Sequence, residues 1–118
     1  MHLWELFEEY ELFARSTNRS PHTITSMKYH VRRFSLFLNR HNYSHDCEQV
    51  TPRTIRAFII NIQGSYAAKT VTNNVVALKT LFAFGLREEL IVVDPTTRIK
   101  APKLPVKDFE IFENEDWS

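Results

Sequence analysis

His30 and Arg33 stand three residues apart in His30-Val31-Arg32-Arg33. On a helix that spacing puts an imidazole and a guanidinium on neighbouring turns of one face, a pair able to hold a phosphoryl oxygen. No nucleophile is placed beside it, so the pair is not assigned to catalysis. The acids Glu8-Glu9 and Glu88-Glu89 are adjacent in sequence. Neighbours on a helix face different ways, so they read as solvated charge and not as an acid–base dyad. The five histidines show no metal-ligand spacing with carboxylates or with Cys47, the one cysteine. With two glycines in 118 residues, phosphate-cradling glycine loops and dinucleotide motifs are excluded. The residues therefore point to no catalytic group, no metal and no cofactor.

What remains is a set of basic and hydroxyl side chains and the helices that must position them. Four helical segments are expected. The first covers about residues 2–15, with Leu3, Leu6, Phe7, Tyr10, Phe13 and Ala14 at helical spacing. The second opens with Ser20 as N-cap and Pro21 at the first helical position, then carries Ile24, Met27, Val31, Phe34 and Leu38 as one apolar stripe to about Arg40. The third repeats the start with Thr51 and Pro52 and runs to about Gln63 through Ile55, Phe58, Ile59 and Ile62. The fourth runs from about Ala68 to Glu89 with Val71, Val75, Leu78, Phe82 and Gly85 inward, and Asp94-Pro95 is expected to close it. Phe7, Phe34, Phe58, Phe82 and Phe84 read mostly as core, whereas Trp4 and Leu12 lie off the first stripe. The fold class is all-α, a small four-helix bundle with an extended C-terminal linker.

The formal net charge of +1 conceals an asymmetry. Residues 15–107 hold all fifteen lysines and arginines against five acids, a net of +10, while residues 1–14 contribute −4 and residues 108–118 contribute −5. A basic body with acidic ends points to a polyanion partner; a solvated basic surface is the other reading of the same charge. No apolar run approaches the ~20 residues of a membrane span. The acidic start MHLWELFEEYELF lacks the basic n-region of a signal peptide, and one cysteine fits a reducing, cytoplasmic setting.

Residues 16–45 contain no acid, and neither do residues 49–87. At 100° per residue, the face of the second helix opposite its stripe carries His22, Thr25, Ser26, Tyr29, Arg32, Arg33 and Arg40. The outer face of the fourth carries Lys69, Thr72, Asn73, Lys79, Thr80 and Arg87. Long basic groups reach phosphates, and hydroxyls bond phosphate oxygens or base edges, so two such faces favour nucleic acid.

An ordered set of short motifs runs along the chain: Ser20-Pro21-x-Thr23; Val31-x-x-Phe34-x-x-Phe37-Leu38; Val50-Thr51-Pro52-x-x-Ile55-x-x-Phe58-Ile59; Lys69-Thr70-Val71-Thr72-Asn73-Asn74-x-x-x-Leu78-Lys79-x-Leu81-Phe82; and Leu90-Ile91-x-x-Asp94-Pro95-x-x-x-Ile99-Lys100-x-Pro102-Lys103. From about residue 3 to 105 the set resembles the core-binding (SAM-like) domain of tyrosine recombinases, the phage-integrase family. The resemblance implies a helical domain that packs on one side of a recombination-site duplex while a following catalytic domain closes the clamp. It assigns Thr23, Thr25, Ser26, Lys28 and Arg32 to a DNA-facing second helix, and Thr70, Thr72, Asn73, Asn74 and Lys79 to a DNA-facing fourth. Lys100 and Lys103 fall on the family's basic linker. Tyr29, Arg33 and Lys69 join these from the helix faces alone. Met27 stands where the family commonly has Tyr, which reads as a core exchange.

The resemblance also implies double-stranded DNA and other recombinase protomers as partners, a monomeric isolated fragment, and a cytoplasmic, nucleoid-associated location. The expected division is a domain over residues 1–103, with residues 104–118 as interdomain linker and the start of a catalytic domain. The family's nucleophilic tyrosine and its partners belong to that domain, so His30-x-x-Arg33 is not their counterpart, and the resemblance implies a fragment that is not itself an enzyme. Two other readings stand beside this one: a helical protein-interaction domain docking an acidic partner, and a compact regulator reading DNA alone. The lack of a tight helix-turn-helix pair counts against the regulator.

Overall fold

The computed structural model describes residues 1–102. Among them are four α-helices, α1 (Leu3–Ser16), α2 (Pro21–Arg40), α3 (Pro52–Gln63) and α4 (Ala68–Arg87), and a single 3-10 turn, Cys47–Gln49. The only β pairing among the described residues is an isolated bridge between His2 and Asp46. Lys103 and the expected linker, residues 104–118, lie outside the described residues.

The helix starts follow local chemistry. The Ser20 hydroxyl accepts from the His22 N–H at 3.1 Å and the Thr51 hydroxyl from the Thr54 N–H at 3.2 Å, each with proline at the next position. α1 begins with an unexpected cap. His2 Nδ1 accepts from the Trp4 N–H at 3.1 Å, while Glu5 reaches back to the His2 N–H at 2.8 Å. This is a capping box with imidazole in the place of a hydroxyl.

Three helix ends share one device. Asn18, Asn42 and Glu89 have φ of 60°, 60° and 62°. The next residue in each case donates back inside the helix, Arg19 to Ala14 at 2.8 Å, Tyr43 to Leu38 at 2.9 Å and Leu90 to Gly85 at 2.9 Å. These are Schellman caps, in which a left-handed residue lets the chain reverse onto the last open carbonyls. The stop of α4 is therefore Glu89, not Asp94-Pro95. Asp94 instead organises a turn: its Oδ1 accepts from the Thr96 N–H at 2.7 Å and the Thr96 hydroxyl at 2.6 Å.

One apolar core runs through all four helices. Phe58 of α3 meets Phe34 and Phe37 of α2 edge to face at 5.0 and 5.4 Å, and Tyr10 of α1 meets Phe84 of α4 at 5.6 Å. Phe7, Phe34, Phe58, Phe82 and Phe84 are all buried, as is Met27. Gly85 marks the close approach of α1 to α4, since a Cβ there would stand 2.9 Å from Leu6 Cδ1 and 3.2 Å from Ile91. Trp4 belongs to the packed face after all, donating from Nε1 to the Ser35 hydroxyl at 3.2 Å, while Leu12 projects into solvent at 66% exposure. In the polar loop after α2, Cys47 is buried and its thiol is pushed up to about 11 by that burial, which removes it as a nucleophile near neutral pH.

Residues 90–102 do not run free. Ile91, Thr96 and Ile99 are buried, and the chain lies back along α4. The Lys79 ammonium donates to the carbonyls of Thr96 (2.8 Å) and Ile99, and the Thr72 hydroxyl to the carbonyl of Pro102 at 2.9 Å.

Glu89 bears the strain of a left-handed conformation and places a negative charge at a helix C-terminus. Glu89→Gly is expected to raise stability by about 0.5–1 kcal/mol in urea unfolding, and Glu89→Val to lower it.

Candidate nucleic-acid interface

The apolar stripe of α2 fixes what its other sides present. Thr25, Tyr29 and Arg32 stand out to solvent, Tyr29 at 63% exposure. Ser26, His30 and Arg33 turn toward α4 and are partly buried. Lys28 is exposed one heptad before Ser35, the residue that meets Trp4, so it lies on the flank toward α1. On α4, Lys69 and Asn73 are exposed, and Thr70, Thr72 and Lys79 are partly buried.

Two hollows border α2, the first shared with α4 and the second with the turn before it. Thr23, Ser26 and Asn73 share a groove of about 370 Å³ with Arg19, His22, His30 and Thr80. Tyr29, Arg32 and Arg33 share a second, of about 220 Å³, with Leu36 and Tyr66. Neither hollow has a carboxylate in its lining. Thr25, Lys28, Lys69 and Thr70 line neither hollow, and Lys100 is exposed on the docked C-terminal segment.

Between the helices lies a polar cluster. Arg33 Nη1 donates to Asn74 Oδ1 at 2.8 Å, and His30 Nδ1 sits 3.2 Å from the same oxygen. An amide oxygen only accepts, so the network assigns the ring proton to Nδ1 and leaves Nε2 as the free nitrogen of His30. The Arg33 guanidinium also lies over the Tyr66 ring, 4.4 Å from its centroid. Arg33 is thus held from two sides, with its charge ordered before any ligand arrives. Asn74 is fully buried and its Nδ2 has no partner among the described residues. Burial lowers the His30 pKa first, and the Arg33 charge adds to the effect, against the bond to Asn74, which raises it.

Two residues of the expected DNA face are engaged within the chain itself. Asn74 is fully buried and touches no outside ligand; it orders His30 and Arg33 instead. Val71, Asn74, Val75 and Leu78 fall on one helical face, and that spacing was the available signal. Lys79 spends its ammonium on two backbone carbonyls and ties down the segment after α4. Sequence reasoning set His30 aside and did not single out Arg19 or Tyr66. Tyr66 sits in the polar turn before α4, where nothing in the spacing marks it.

A family model for the phage integrase N-terminal SAM-like domain matches residues 7–89. The chain belongs to that family. The SAM-like domain is 34% identical over 104 residues to the tyrosine recombinase XerC of Roseiflexus castenholzii, covering 82% of this chain and 32% of that protein. It is 29% identical over 89 residues to the tyrosine recombinase XerD of Yersinia pestis, covering 75% of this chain and 29% of that protein. The XerC of Listeria innocua is 28% identical over 100 residues. The chain spans about a third of the length of these relatives. No solved structure matches it with significance. No helix among the described residues is long and apolar enough to cross a membrane.

Two outcomes follow from the geometry of the SAM-like domain. Folding favours the neutral imidazole of His30, so its share of stability is complete above the unfolded pKa of about 6.5 and is lost as pH falls through the lowered folded value. The melting temperature is expected to fall between about pH 7.5 and pH 5, and to fall less in His30→Gln, which still can donate to Asn74. Asp46, whose pKa is lowered first by the Glu48 N–H, loses its share only below the usual carboxylate range and so outside that window. Lys79→Met keeps the apolar stem and removes the latch; amide exchange at Ile99 is expected to speed up about tenfold while amides in the middle of α2 stay protected.

Proposed function

We propose that this domain binds double-stranded DNA through α2 and α4, as the non-catalytic half of a tyrosine recombinase that clamps its recombination site. The observation that carries the reading is the acid-free surface formed by the two helices, with Arg33 held between Asn74 and Tyr66. Ordering a guanidinium in advance removes part of the entropy cost of placing it on a phosphate. Thr25, Tyr29, Arg32, Lys69 and Asn73 stand exposed around it, and Thr23, Ser26 and Thr70 add donors at its edges, while the Thr72 hydroxyl, given to the Pro102 carbonyl, keeps only its acceptor lone pairs. Lys28 and Lys100 extend the positive surface to either side.

In this reading phosphate contacts supply affinity and register, and the groove-reaching hydroxyl and amide groups of α2 and α4 supply what sequence preference the domain has. Strand cleavage and rejoining belong to a catalytic domain beyond this chain, and other protomers join in the full synaptic complex. The domain works in the cytoplasm on the nucleoid. The similarity to the Xer tyrosine recombinases supports the assignment to recombination.

Fluorescence anisotropy with a labelled duplex, read across a salt series, tests the proposal. The chain is expected to bind at low salt with an affinity that falls steeply as salt rises. Arg32→Ala with Lys69→Ala is expected to weaken binding about tenfold and to reduce the salt slope by about 2, one for each lost phosphate contact. Binding absent at low salt, or a slope unmoved by the double substitution, would count against DNA and for an acidic protein partner.

A further inference from the structure

The groove between α2 and α4 contains more than the DNA-facing residues considered so far. Arg19 enters it from the turn after α1, and His22 and His30 from α2. Thr80 faces them from α4, and the Tyr10 ring lies at its base. Thr23, Ser26 and Asn73 add hydroxyl and amide groups. The lining thus offers one fixed cation, two imidazoles and several neutral donors, with no carboxylate among them. The left-handed Asn18 and the Arg19-to-Ala14 bond of the Schellman cap set where Arg19 leaves α1.

His30 decides what this groove can bind and when. Its Nδ1 is committed to Asn74 Oδ1, so Nε2 is the ring's remaining polar atom. Near neutral pH that nitrogen is a bare lone pair, which repels an anionic oxygen. One proton taken up from water makes it a charged donor aimed at the same oxygen.

We infer that the groove seats a phosphodiester on Arg19, His22 and His30, and that binding there takes up protons from solvent. The inference rests on the DNA-binding reading and assigns a site within it. The charged and titratable groups that face His30 are Arg33 and His22 on its own helix, Arg19 from the preceding turn and Tyr10 from α1; α4 presents Asn73, Asn74 and Thr80, all neutral. In the free chain only burial and positive charge oppose protonation, and an entering phosphate reverses that balance. This is consistent with the lowered His30 pKa in the unoccupied fold. Duplex affinity therefore rises as pH falls, whereas the stability of the free chain declines.

The test measures duplex binding by the full 118-residue chain at about pH 6.0 and about pH 7.5 at equal ionic strength. Wild type is expected to bind about tenfold tighter at the lower pH. His22→Gln with His30→Gln is expected to show less than about a twofold difference. Arg19→Gln is expected to weaken binding several-fold at both pH values, with Arg19→Lys restoring part of it. A wild type without pH dependence, or a double variant that keeps it, overturns the inference while leaving DNA binding intact. Loss of all duplex binding by wild type removes the DNA reading and this site with it.

Histidine ring NMR signals of the wild type, titrated in parallel, do not depend on how the variants fold. The His22 and His30 signals are expected to move and saturate with duplex, and to need at least about a hundredfold more inorganic phosphate. Equal response to inorganic phosphate would make the groove a small-anion site and overturn the duplex assignment. Rings unmoved by either probe would overturn it as well.

Discussion

The candidate interface depends on one buried amide. Asn74 Oδ1 receives Arg33 at 2.8 Å and His30 at 3.2 Å from inside the α2–α4 contact. A buried polar side chain costs least when its hydrogen bonds are made; here the Oδ1 bonds run to the two groups whose placement matters, while Nδ2 has no partner among the described residues. An apolar residue at position 74 would pack the same seam but leave Arg33 with only the Tyr66 ring as a guide. The amide thus couples packing to electrostatics: the seam that joins two helices also sets the position of a cation on their outer side.

A second constraint acts on the other flank of α4. Lys79 and Thr72 donate to carbonyls of residues 96, 99 and 102, and Ile91 and Ile99 bury themselves beside the helix. Backbone carbonyls without a sheet or helix partner need donors when covered, and an ammonium serves two at once. The path of the chain at Pro102 is thereby referred to α4, the same helix that presents Lys69 and Asn73. The turn at Asp94 and the reversal at Glu89 make this return possible.

Much of the architecture was legible from local chemistry. Ser20-Pro21 and Thr51-Pro52 announced two helix starts, and the 3.6-residue stripes of α1 to α4 named most of the core, though not Phe37, Leu81, Ile91 or Ile99. The end of α4 was expected near Glu89, but what stops it was not legible, because a glutamate in the left-handed region carries no signature of its own, unlike glycine. The His2 cap escaped for a similar reason, since imidazole is not among the usual capping groups. The exposure of Thr25, Tyr29, Arg32 and Lys69 followed from helix geometry. The inward engagement of Asn74 and Lys79 was not foreseen, although the spacing of Asn74 from Val71 and Leu78 placed it on the buried face. For Lys79 the deciding fact is where residues 96–102 return, and no periodicity within α4 encodes that.

The central claim is that duplex DNA is met by the α2–α4 face and by no other. Amide and side-chain NMR shifts of the isotope-labelled chain, followed as duplex is added, test it most directly. Perturbations concentrated on Thr25, Tyr29, Arg32, Arg33 and Asn73, with Glu5, Glu8 and Glu9 of α1 unmoved, are the predicted result. Perturbations centred on α1 or α3, or none at saturating duplex, would contradict it.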